Sequence, residues 1–166
     1  MNFIRSFFNL FRRNQALLPA TPIDIKRLRW MKTAYAYVGL HEIPGKETDS
    51  KIGEWLKLVG QPADDSIPWC AAACNGVLEE SGMQGSGKPN ARSFLQVGTK
   101  TVFRPGCIVV LWTGSIGGWQ GHVGFGEKLS DDGRRIRILG GNQGDEFNSA
   151  WFSIDRVLDY RWPVPK

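Results

Sequence analysis

Pro68-Trp69-Cys70-Ala71-Ala72-Ala73-Cys74-Asn75-Gly76-Val77-Leu78 is the stretch on which the reading of this chain turns. Proline and tryptophan close an irregular segment. Beyond them Cys70, Cys74, Val77 and Leu78 follow the i, i+4, i+7, i+8 spacing of one helix face, which predicts a helix from about Trp69 to Gly82 with that face on a core. Cys70 then sits in the first turn. The unpaired N–H groups and partial positive charge of a helix start favour thiolate over thiol, so this is where a cysteine is expected to become a nucleophile. Cys74, one turn deeper, reads as a small apolar residue, inert in a dry interior.

Upstream of that helix the pattern is also helical. Leu18-Pro19-Ala20-Thr21-Pro22 reads as a linker ending at an N-cap, with Thr21 as the cap, Pro22 at the first helical position and Asp24 in the first turn. A helix is predicted from there to about Val38, with Leu28, Met31, Tyr35 and Val38 inward and Gly39 as its stop. Ser50 is the expected cap of a second helix, which buries Ile52, Trp55, Leu56 and Val59 and ends at Gly60. The loop between them carries His41 and Glu42, and His41 there is expected to face solvent.

Downstream, a short helical turn at residues 91–96 gives way to alternating patterns. Strands are predicted at 107–112, 122–127, 135–140 and 157–162, with Asp132-Gly133 as the hairpin turn between the second and third. Helices followed by an antiparallel sheet define an α+β fold. Residues 1–18, MNFIRSFFNLFRRNQALL, stand apart as a basic amphipathic segment, its phenylalanines at helical spacing among arginines. They are too short and too often interrupted by charge for a spanning helix or a secretory signal, and a transient membrane-surface contact is the role expected of them. The remaining residues, 19–166, make one domain, long enough to bury a core without staples.

Composition narrows the chemistry. Three cysteines are an odd count, and Cys70-x3-Cys74 with only two histidines fits neither a disulfide framework nor a zinc site, so no metal or cofactor is expected. A net charge of +5 points to an anionic partner. The 21 lysines and arginines are scattered, with no basic groove among aromatics, which argues against nucleic acid.

Three residues are read as catalytic: Cys70, His122 and Asn142. In Gly121-His122-Val123-Gly124-Phe125-Gly126, alternation puts His122 on a face shared with two glycines, leaving room for a substrate chain beside the ring. Asn142 follows Gly140-Gly141 just past the next strand, where a carboxamide can accept the imidazole N–H and fix its tautomer; Gln143 is the adjacent alternative. Trp69 beside the nucleophile, Trp119 in the glycine-rich loop before His122, and Gln143 are the expected substrate contacts. A cysteine, a base and a polar orienter in this order are what a cysteine hydrolase needs.

PWCAAACNGVLEESG, ARSFLQVG, RPGCIVVLW, GHVGFGE and ILGGNQ, spread from about residue 30 to the end, resemble the NlpC/P60 and CHAP branch of papain-like peptidoglycan hydrolases. The resemblance implies a papain-like domain, helices packed on a central antiparallel sheet, with the cysteine, histidine and polar roles falling on Cys70, His122 and Asn142. It further implies bacterial peptidoglycan as partner, cleavage of a peptide or N-acetylmuramoyl amide bond, and a phage endolysin made in the host cytoplasm as a monomer and acting on the wall in the periplasm. Two departures stand out: many relatives carry an acidic residue where this chain has Cys107, and CHAP members often place a carboxylate where it has Gly140. The alternatives are a secreted antibacterial amidase toxin, and a membrane-active or binding module whose cysteine is incidental.

Overall fold

The computed structural model describes residues 23–45 and 48–166. The amphipathic segment over residues 1–18 and the Thr21–Pro22 helix start lie outside them. Among the described residues three α-helices come first, α1 (Arg29–Ala36), α2 (Ser50–Leu58) and α3 (Cys70–Glu80), then six strands: β1 (Thr99–Thr101), β2 (Ile108–Trp112), β3 (Gly121–Leu129), β4 (Arg135–Gly140), β5 (Asn148–Ser153) and β6 (Val157–Trp162). The strands form one antiparallel sheet in the order β1-β6-β2-β3-β4-β5. The α+β layout read from the sequence is therefore the observed one.

Helix α3 runs through the middle of the main core, buried along its length from Cys70 to Leu78. Burying side chains the size of Val77 and Leu78 stabilises by about 1.5–3 kcal/mol each. The facing layer comes from Ile108, Val110, Val123, Phe125 and Leu139, and α1 and α2 close the other side with Trp30, Met31, Ile52 and Trp55. A second core occupies the opposite face of the sheet, where Val109, Leu111, Ile136 and Ile138 meet Phe152, Ile154 and Tyr160. It exists because β5 lies at one edge while β6 pairs with β2, so the link Ile154–Arg156 has to cross that face.

Some local features differ from expectation. The first helix is broken: Asp24 caps a 3-10 turn at Ile25–Arg27, Leu28 is extended, and α1 starts only at Arg29. Packing overrides helix propensity there, since the Leu28 side chain lies against Gly106, where an added Cβ would come within 2.3 Å of it. Asp49, not Ser50, caps α2, its Oδ1 accepting from the N–H groups of Lys51 and Ile52. Strands β1 and β5 were not foreseen. Both are edge strands with little burial, so neither shows a strong alternating pattern.

Candidate active site

Cys70 opens α3, behind Trp69 at the N-cap. The backbone N–H groups of Val123 on β3, of Ala71 and of Cys70 itself act on its thiol. These donors favour thiolate, but burial outweighs them and raises the Cys70 pKa above the ordinary thiol value. The expectation that the helix start alone would lower it is corrected. Cys70, a residue with 7% exposure, lines a cleft of about 570 Å³ together with His122, Gln143, Phe152 and Arg156.

His122, near the start of β3, is 8% exposed, and its ring stacks on Phe152 with centroids 5.1 Å apart and planes 26° apart. Burial lowers its pKa to about 4; the hydrogen bond to Gln143 works the other way, and the charge of Arg156 lowers it further. Both groups are therefore neutral at pH 7, a thiol and an imidazole that line the same cleft.

The partner of the imidazole is Gln143. Its Oε1 lies 3.0 Å from His122 Nε2. The amide orientation follows from its other bonds: Nε2 donates to the carbonyls of Asn148 at 2.6 Å and Ile138 at 3.2 Å, and to Asn148 Oδ1. The oxygen is thus turned to the ring, and a carbonyl oxygen only accepts, so His122 carries its proton on Nε2 and Nδ1 is the basic nitrogen. A neutral imidazole whose tautomer is fixed in this way can accept a proton at Nδ1.

Asn142 does not perform this role, and the sequence assignment is corrected. Its backbone is left-handed, φ 57°, a conformation Asn tolerates better than most residues, and this turns the following side chain back toward β3. The Asn142 side chain points away and donates to Glu42 Oε1 at 3.1 Å. The same carboxylate oxygen accepts the indole N–H of Trp69 at 2.7 Å. Glu42 thus ties the residue before Cys70 to the residue before Gln143.

Trp69 is fully buried and reaches no substrate, a second correction. Its ring lies against Gly141, where a Cβ would sit 2.2 Å from the indole, so this glycine makes room for tryptophan and the sharp bend falls on Asn142. Trp119 is 79% exposed, on a loop that Arg92 holds through the carbonyls of Ser115, Ile116 and Gln120, and does not line the cleft. Trp151 and Phe152 supply its aromatic wall. Nor do the glycines of β3 leave substrate space: a Cβ on Gly124 would lie 2.5 Å from Ile138, and one on Gly126 3.0 Å from Phe103. Gln143, expected among the substrate contacts, lines the cleft, and its amide bonds the histidine and the backbone.

Cys74 is buried and its pKa is raised well above the ordinary value, an inert thiol as read. His41 is exposed, with Nδ1 on the Gly39 carbonyl. Among the described residues no three His, Cys, Asp or Glu side chains gather into a metal site. A groove of about 650 Å³ between α1 and the end of α3 is lined by three hydroxyl-bearing residues: Thr33 and Ser81 donate to backbone carbonyls of their own helices, and Tyr37 donates to Glu80 Oε2.

Glu42, Phe152 and Arg156 were missed by the sequence reading. Glu42 was in view only as the neighbour of His41, while Phe152 belongs to β5 and Arg156 to the β5–β6 crossover, neither of which a pattern announced. Set against known proteins, the chain matches no family model and no curated relative.

Proposed function

We propose that the chain is a cysteine amidohydrolase of papain-like layout, with Cys70 as nucleophile, His122 as general base and Gln143 as the group that orients the base. The observation that carries this reading is the Gln143–His122 hydrogen bond at 3.0 Å, which commits the Nε2 proton and leaves Nδ1 as the basic nitrogen of a residue that lines one cleft with Cys70. On that basis, and on the resemblance of its motifs to NlpC/P60 and CHAP hydrolases, we further propose bacterial peptidoglycan as the substrate and lysis of a phage host as the setting.

The steps follow from the neutral resting pair. His122 Nδ1 takes the thiol proton as sulfur attacks the amide carbonyl; the N–H of Cys70 at the helix start donates to the oxyanion; the imidazolium then protonates the departing amine. Water, deprotonated by the same nitrogen, hydrolyses the thioester and frees the thiol. Burial of both groups makes a permanent ion pair costly, so charge develops only during reaction.

Clearance of purified sacculi by the full chain, by Cys70→Ala and by a chain lacking residues 1–18 tests the reading. Loss of clearance in the first variant and retention in the second support the hydrolase. The reverse pattern supports a membrane-active module instead.

A further inference from the structure

Arg156 closes the crossover turn Ile154–Arg156 and stands in the cleft with Cys70 and His122. It is held in place. Its Nε donates to the Trp112 carbonyl at 3.1 Å, its guanidinium lies 5.9 Å from the Trp112 ring centroid, and the Trp112 indole N–H donates back to the Asp155 carbonyl at 3.2 Å. No carboxylate among the described residues pairs with it, whereas Arg137 has Glu127 and Arg161 has Asp159. Arg92 spends its nitrogens on three carbonyls. Arg156 is thus a fixed, half-buried cation with both terminal nitrogens unspent, beside the reacting groups.

We propose that Arg156 is the specificity residue of the cleft and binds a free carboxylate on the substrate residue next to the scissile amide. This rests on the hydrolase reading above and names its substrate class: an acidic peptide such as a stem containing γ-linked glutamate, whose α-carboxylate remains ionised. A guanidinium fork suits that group, since two parallel N–H donors match two carboxylate oxygens. The second argument is electrostatic. His122 becomes cationic during reaction, and the uncompensated charge of Arg156 opposes that. A bound carboxylate cancels the opposition, so an anionic substrate both docks at Arg156 and restores the proton affinity of the base, whereas a neutral analogue leaves the imidazole weak.

The test compares muramoyl-L-Ala-γ-D-Glu-L-Lys-D-Ala with a C-terminal amide against the same molecule with its glutamyl α-carboxylate converted to carboxamide. Wild type is expected to favour the acid by about 10- to 100-fold in kcat/KM, the range of one hydrogen bond to a charged group, with part of the preference in kcat. In Arg156→Gln the acid-to-amide ratio falls to near one, and in Arg156→Lys part of it survives; thermal melting checks that both variants fold. A wild-type ratio near one, or a ratio unchanged in Arg156→Gln, overturns the proposal. If wild type cleaves neither compound, the hydrolase reading falls, and calorimetry of the two compounds on Cys70→Ala protein decides the subsite alone: acid-selective binding that disappears on adding Arg156→Gln supports it, and equal binding overturns it.

Discussion

Replacing Gln143 by alanine removes the one side-chain group among the described residues that holds the His122 tautomer. The wild-type ring donates Nε2–H to an oxygen at 3.0 Å from a site where it is 8% exposed, so water does not readily replace the lost acceptor. An orphaned buried donor costs about 1–3 kcal/mol, which is the expected fall in unfolding free energy. Activity falls further. Without the oxygen the proton can move to Nδ1, and the ring can then no longer accept from the thiol; loss of a positioned base typically costs on the order of 10²-fold or more in rate. Asn142→Gly is the matched control. It keeps the left-handed turn at φ 57° open to the chain and removes only the bond to Glu42, so its kcat/KM should stay within about fivefold of wild type, roughly 1 kcal/mol. Release of stem peptide from muropeptides gives the rates, and ¹⁵N NMR of the imidazole gives the tautomer. Equal damage from the two variants, or an Nδ1–H tautomer in the wild type, refutes the reasoning.

Three further outcomes follow from the site. With His122 lowered to about 4 and Cys70 raised, kcat/KM should be lost on the acid side only as pH falls through about 4, with no alkaline loss near pH 8; a decline centred there reveals a thiolate–imidazolium pair instead. The same depression bears on stability. The unfolded chain protonates His122 near 6.5 and the folded chain near 4, so about 3 kcal/mol that is present above 6.5 is lost between those values; denaturant titrations at pH 7 and pH 4.5 should show a smaller pH dependence in His122→Gln, and an equal dependence contradicts the assignment. Glu42→Ala removes the oxygen that accepts from both the Trp69 indole and the Asn142 amide, and should lower kcat/KM about tenfold with KM nearly unchanged, because it loosens two anchors of the reacting groups rather than a substrate contact. A change confined to KM counts against that role.

The helical half of the fold was legible because its signals are local. Cys70, Cys74, Val77 and Leu78 announce one buried face, and Ile52, Trp55, Leu56 and Val59 another, and both are buried as read. Strands β2, β3, β4 and β6 carry enough apolar alternation to be seen, with Gly133 in the left-handed turn that joins β3 to β4. What escaped depends on distant residues. Nothing in GGNQ says which carboxamide faces the ring, since one left-handed residue exchanges the directions of Asn142 and Gln143. Nothing near Trp69 says that its indole is claimed by Glu42, 27 positions earlier. The thiol was misread for a related reason. The helix start was visible in the sequence, but the depth of burial that outweighs it was not.

The account turns on a thiol doing chemistry on the bacterial wall, and mass spectrometry of fragments released from purified sacculi under reducing conditions addresses that directly. New muropeptide species carrying one hydrolysed amide should accumulate with wild type and be absent with Cys70→Ala. Sacculi that yield no new species with wild type, or the same species with the alanine variant, contradict it.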